Sequence, residues 1–161
     1  MPHEPAGHAD ERTMILGWLD LYRDVMVMKI DGLSEEQARF RPTERANSLL
    51  NLIVHLTRVE RRWFERTIAG EQLDIDRDAE FGELTISVNA AVAAYRDQWA
   101  RSNEIASEVG SMDEPCKGEA GYSVRWVLQH MIEETARHAG HADITRELVD
   151  GATGWSRDDP G

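Results

Sequence analysis

Hydrophobic residues recur every three or four positions in four long segments of the chain, the spacing of one buried face on an α-helix. The predicted helices cover residues 10–30, 48–69, 83 or 85 to 109, and 123–150. No segment alternates hydrophobic and polar residues as a half-buried strand does. The pattern therefore predicts an all-α protein, and a four-helix bundle is the natural architecture for four such helices.

Capping and breaking residues support these boundaries. Ser48 is a natural N-cap, and Gly70 and Gly151 are natural stops. Residues 34–37 resemble a short capped helical turn, residues 71–82 a long polar loop, and residues 112–121 a connector. We predict one bundle domain over residues 11–151, with an N-terminal tail at 1–10 and a C-terminal tail at 152–161.

Charge narrows the set of partners. The chain of 161 residues has 30 acidic and 18 basic side chains, a formal net charge of −12. Nucleic acid is not an expected partner, because phosphate binding draws on clustered positive charge. No apolar stretch approaches the roughly 18 residues that span a bilayer, and the first residues lack the features of a signal peptide. We expect a soluble, cytoplasmic protein with no membrane partner.

Cysteine usage limits the chemistry. Cys116 is the only cysteine, which excludes an internal disulfide and a zinc cluster of thiolates. A metal would have to be held by histidines and carboxylates. No activating motif surrounds Cys116, so we do not expect it to be a nucleophile.

The fourth helix carries a stripe of candidate ligands. At roughly 100° per residue, His130, Glu134, His138 and His141 fall within about 80° of the helix circumference. Glu134 and His138 lean towards the predicted core, one turn apart, whereas His130 and His141 lie at its rim. Glu134 and His138 can therefore chelate one ion, although such a pair also occurs on solvated helices.

The second helix contributes His55, at the edge of its apolar face. Taken alone, a histidine at such an edge is more often a packing residue than a ligand. If the second and fourth helices are neighbours, however, His55, Glu134 and His138 form a three-ligand site with open positions, the pattern of a catalytic metal.

Glu60 also lies on the inward face of the second helix. A buried carboxylate must be paired or protonated. Glu60 is therefore either the partner of an arginine, for which Arg23 and Arg146 are candidates, or a member of the active site.

Two motifs together resemble a known family. They are Ser48-Leu49-x-x-Leu52-x-x-His55-Leu56-x-x-Val59-Glu60-x-x-Trp63-Phe64 and Glu134-x-x-x-His138-x-Gly140-His141-x-Asp143-x-x-Arg146-Glu147. Over residues 11–151 the chain resembles the DinB superfamily of metal-binding four-helix bundles, in particular its actinobacterial branch that includes mycothiol S-transferases.

The resemblance implies a site and its cofactors. It implies a divalent metal, most often zinc, held by His55, Glu134 and His138; relatives carry either His or Glu at the position of Glu134. It also implies mycothiol, a low-molecular-weight thiol, as cosubstrate. A metal with an open position lowers the pKa of an entering thiol and so supplies a nucleophile without a protein cysteine.

The leading hypothesis is thus a metal-dependent S-transferase whose partners are a small-molecule thiol and an electrophile. We expect His130 and Arg137 to contact the thiol, His141 to act at the mouth, and Glu60 to orient a ligand or act on a proton. A homodimer is one predicted assembly of the protein. Two alternatives stay open: a non-catalytic metal-binding stress-response protein, and a hydrolase or isomerase that uses a metal-bound water.

Overall fold

A computed structural model describes residues 3–74, 84–119 and 121–154. Over these ranges the helices are α1 (Glu11–Ile30), α2 (Glu35–Ala38), α3 (Leu49–Glu60), α4 (Val88–Glu108) and α5 (Val124–Asp150), and a π-helical segment (Arg61–Ile68) continues α3. The only strand-like feature of the described ranges is an isolated bridge between Pro115 and Ser123. The predicted all-α class is confirmed. None of these helices is both long and apolar enough to cross a membrane.

Side-chain caps fix where the long helices begin. The side chains of Asp10, Ser48, Ser87 and Ser123 each accept a backbone N–H from the first turn of α1, α3, α4 and α5. Helix α5 ends as predicted at Gly151, whose φ of 78° is left-handed.

Helix α4 begins later than the sequence pattern suggested. Ser87 caps it, and the N–H of Val88 donates to a carboxylate oxygen of Glu35 at 2.7 Å. The two acceptors satisfy the N–H groups of Ala90 and Val88 in the first turn, so the helix starts at Val88 and not at 83 or 85. Residue 83 and most of the predicted 71–82 loop lie outside the described residues.

The second predicted helix spans the expected residues but changes type within them. Beyond Glu60 the turns widen, and the N–H of Ala69 donates to the carbonyl of Phe64 at 2.9 Å. The connector after α4 crosses this segment closely: a Cβ on Gly118 would lie 1.8 Å from the Arg66 carbonyl oxygen. Glycine at 118 is therefore required for the two backbones to meet.

Packing places α3 beside α5. Helix α1 lies against α5, α3 against α4, and α3 also contacts α5. The apolar face predicted for the second helix is buried at Leu49, Leu52, Ile53, Leu56 and Val59. The prediction that the second and fourth long helices of the sequence are neighbours is thus confirmed for α3 and α5.

A fully buried ion pair joins α1 to the end of α3. Arg23 donates from Nε and Nη2 to the two carboxylate oxygens of Glu60, at 2.8 and 2.6 Å, and neither side chain is exposed. Asp20 and Asn103 accept from Nη1 of the same guanidinium. Of the two predicted partners for Glu60 the structure selects Arg23, because Arg146 instead binds Asp150.

We expect Glu60→Gln to destabilise the fold by about 3–5 kcal/mol, because it leaves the Arg23 charge buried without its main counter-ion. The matched control is Glu71→Gln, which removes the exposed pair with Arg101 and should cost less than about 1 kcal/mol. Urea unfolding of the three proteins measures both values. Equal losses in the two variants would contradict a dominant role for the buried pair.

Candidate metal centre

Three side chains meet where α3 packs on α5. His55 Nε2 lies 3.3 Å and His138 Nε2 lies 3.1 Å from the same oxygen of Glu134, Oε1. The two imidazole centroids are 4.9 Å apart, in an edge-to-face arrangement. Among the described residues these form a group of possible metal ligands whose ligand atoms all lie within 4.8 Å of one another.

Each ligand is held by its helix. Glu134 and His138 are one turn apart on α5, so their side chains project from the same face. His55 follows the buried Leu52 by three residues on α3 and precedes the buried Leu56, and these leucines orient the helix. The three side chains are 10–13% exposed, so the site is sheltered but reachable from solvent.

The electrostatics of the cluster keep Glu134 ionised. Hydrogen bonds to His138 and then to His55 hold the pKa of the Glu134 carboxyl well below its usual range, against the opposite effect of burial. Without those imidazole protons, two ring nitrogens and a carboxylate oxygen would turn their lone pairs towards one another. Such a convergence needs protons or a cation between the atoms.

A divalent metal fits this donor set. Two ligands on one tetrahedral ion, each about 2.0–2.1 Å from it, lie about 3.4 Å apart. The observed separations of 3.1 and 3.3 Å match that value with little side-chain movement. Imidazole and carboxylate donors suit zinc and other first-row divalent ions. Three protein ligands would leave a coordination position for a substrate.

Arg137 approaches Glu134 from the solvent side. Its guanidinium pairs with Oε2, the carboxylate oxygen that does not face the histidines, and the arginine side chain is exposed. This contact fixes the rotation of the carboxylate and leaves Oε1 directed at the two imidazoles. Arg137 thus lies beside the ligand group, and its predicted contact with the thiol stays a prediction.

His130 belongs to an aromatic cluster that the sequence analysis did not identify as a unit. Its ring stacks on Trp126, with centroids 5.1 Å apart, and meets the edge of Trp63 at 4.8 Å. Tyr122 contacts the other side of Trp126 at 4.5 Å. The spacing of four between residues 122, 126 and 130 was the available signal. Because His130 and Glu134 are also four residues apart, the cluster borders the ligand group.

His141 lies on the opposite side of the ligand group. It is exposed, and its ring centroid lies 5.7 Å from that of His138. It is not a member of the three-residue group, and it lines a neighbouring cavity instead.

The two remaining residues of chemical interest are buried elsewhere. Both carboxylate oxygens of Glu60 accept hydrogen bonds from Arg23. Of the two roles predicted for Glu60, these contacts are those of an arginine partner. Cys116 is buried, and burial raises the pKa of its thiol above the usual value. Because the thiolate is the nucleophilic form, this cysteine is poorly suited to attack an electrophile.

Comparison with known proteins gives one positive result. A family model described as "MST: Mycothiol-S-transferase" matches residues 14–151, which include most of α1 and all of α3, α4 and α5. No curated protein matches the chain. The match confirms the resemblance drawn from the two motifs.

We expect one divalent ion per chain, bound at micromolar affinity or tighter. His55→Ala, His138→Ala and Glu134→Gln should each weaken binding by more than about a hundredfold, because each removes a direct ligand. His8→Ala, in the N-terminal segment, is the control and should bind normally. Elemental analysis and titration of chelator-treated protein measure both effects; full loading of the double variant His55→Ala/His138→Ala would rule out the site.

Proposed function

The chain belongs to the mycothiol-S-transferase family, and on that basis we propose that it joins a low-molecular-weight thiol, mycothiol by family, to an electrophilic small molecule. The observation that carries the proposal is the meeting of His55, Glu134 and His138 in a sheltered, solvent-reachable group of ligand atoms. A divalent metal bound there would lower the pKa of an incoming thiol and so supply the nucleophile.

The residues of the chain have separate tasks in this proposal. His55, Glu134 and His138 hold the ion, and Arg137 holds the outer oxygen of Glu134. Holding this carboxylate in one orientation spares a rearrangement when the ion and its thiol bind.

The residues around the ligand group are proposed to provide contacts on either side of it. His130, at the end of the aromatic cluster, and Arg137 are proposed to contact the thiol cosubstrate. His141, exposed beside His138, is proposed to act at the reacting end as a proton acceptor or donor. These two sides suit a reaction that brings two molecules to one centre.

Glu60 enters the proposal through its position. It lies five residues after His55 on α3, and Arg23 anchors it to α1. The contacts of Glu60 favour a role in orienting the helix that carries His55. Direct proton transfer by Glu60 stays a prediction. Zinc as the metal, a cytoplasmic location and a homodimer likewise stay predictions.

Thiol transfer should depend on the metal ligands and not on the protein thiol. With mycothiol and a small alkyl halide, we expect His138→Ala and Glu134→Gln to abolish thiol consumption through loss of the ion. Cys116→Ser should keep nearly full activity, because the attacking sulfur belongs to the cosubstrate. A thiol assay with metal analysis of each variant provides the measurement.

Four results would contradict the proposal. Equal activity of the chelated protein would remove the metal from the mechanism, and loss of activity in metal-loaded Cys116→Ser would favour a protein thiol. Ester hydrolysis without any thiol would indicate the hydrolase alternative. A metal-loaded protein with no turnover of any electrophile would indicate the non-catalytic one.

The rate should also depend on pH and on the identity of the thiol. Since the site lowers the thiol pKa, the rate should rise through an apparent pKa well below the roughly 8.5 of a free cysteine. Glutathione, which lacks the sugar and inositol parts, should react poorly, because remote contacts contribute to positioning. Rate–pH profiles with both thiols test this, and a midpoint near that of the free thiol would argue against activation.

A further inference from the structure

A cavity of about 310 Å³ lies between α5, the start of α3 and the segment that precedes it. This volume is at the lower end of the range for small-molecule sites. The residues that line it are Pro42, Arg45, Ala46, Asn47, Leu52, His141, Ile144 and Thr145.

The cavity adjoins the candidate metal ligands from both helices. On α5 it is lined by His141, whose ring centroid is 5.7 Å from that of His138. On α3 it is lined by Leu52, one turn before His55. A molecule in the cavity would therefore have one end beside the ligand group.

The lining has an apolar body and a positive end. Ile144, which is 59% exposed, contributes most of the apolar surface, and the buried Leu52 lies at its base. None of the lining residues is acidic, although the chain has a net charge of −12. The cavity lining thus lacks the excess of acidic residues that the chain has as a whole.

Arg45 supplies the positive charge. It has no ion pair or hydrogen bond with any residue of the described ranges. By contrast, the half-buried Arg39, which also precedes α3, pairs with Glu35 and donates to two backbone carbonyls. A guanidinium that no described carboxylate engages is suited to bind the carboxylate of a ligand through paired hydrogen bonds.

We propose that this cavity is the electrophile site and that the electrophile is a small, mainly apolar molecule carrying a carboxylate. The carboxylate pairs with Arg45, the apolar body lies on Leu52 and Ile144, and the reactive carbon faces His138. This proposal rests on the proposed function, whose substrate class it specifies.

The reaction can be written in balance for an alkyl halide. The thiol loses its proton to solvent or to His141, and its sulfur forms a bond to the carbon that carries the halogen. The carbon–halogen bond breaks, and the halide leaves with the bonding electron pair. No oxidant or reductant is needed.

The first experiment measures binding without turnover. Benzoate and benzamide, which have the same ring and cannot alkylate a thiol, are titrated calorimetrically into the metal-loaded protein. We expect benzoate to bind about tenfold more tightly than benzamide, and Arg45→Gln to remove the difference. Arg101→Gln, which changes the net charge equally but lies on α4, should keep it.

Two outcomes of the titration would overturn the proposal. One is equal binding of benzoate and benzamide to the unsubstituted protein. The other is a preference that survives Arg45→Gln and disappears on chelation, since the carboxylate would then be binding the ion. A competition titration provides a third such outcome: competition of benzoate with inositol or glucosamine, with no dependence on Arg45, would assign the cavity to the thiol cosubstrate.

The second experiment measures transfer. With mycothiol, para-chloromethylbenzoate should have a higher kcat/KM than its neutral amide, and Arg45→Gln should lower the ratio of the two kcat/KM values about tenfold. Equal ratios in the two proteins would overturn the substrate assignment. No thiol consumption with either compound, while Arg45-dependent benzoate binding persists, would instead count against the proposed S-transferase function.

Discussion

Three electron-pair donors converge at the contact of α3 with α5, and this convergence is the constraint on which the site depends. Nothing in an apolar helix interface favours two imidazoles and a carboxylate facing one another at 3.1–3.3 Å. The arrangement is stable only when positive charge lies between them, as hydrogen-bonded protons or as a bound ion. The same separations suit a divalent metal, so the interface can bind the ion with little reorganisation.

The rest of the bundle keeps these donors in place. One buried cluster, which includes Leu52, Leu56 and Ala139, lies on one side of the ligands, and a second, which includes Val59 and Met131, lies on the other. Rigid packing at both ends fixes the crossing of the two helices, which ligand geometry requires. The Arg23–Glu60 pair adds a directional link to α1 just beyond His55, and such a pair tolerates little displacement because both charges are fully buried.

The surroundings of the ligand group differ along α5. Towards its N-terminus lies the stacked cluster of Trp126 and His130, and towards its C-terminus lies the cavity lined by His141 and Ile144. A transferase must bring two different molecules to one centre, and a site with two unlike neighbours offers a place for each. Because the chain is acidic overall, the cavity, whose lining contains no carboxylate, is the more unusual of these two surroundings.

The sequence by itself determined the four long helices, apart from the start of α4, because helical periodicity depends on residues a few positions apart. It also determined several of the helix ends and the shared face of two candidate ligands on α5. Glu134 and His138 share a face by helical geometry alone, and Ser48, Ser123 and Gly151 act within one turn of their helix ends. The inward position of Glu60 followed from the same periodicity.

Only the tertiary structure decided which distant residues meet. It placed His55 against Glu134 across 79 positions of the chain and chose Arg23 over Arg146 as the partner of Glu60. It also produced the widened turns after Glu60, the late start of α4 at an acceptor from Glu35, and the aromatic cluster around Trp63. Each of these depends on how helices cross and on which buried polar groups find partners, and neither periodicity nor capping within one segment contains that information.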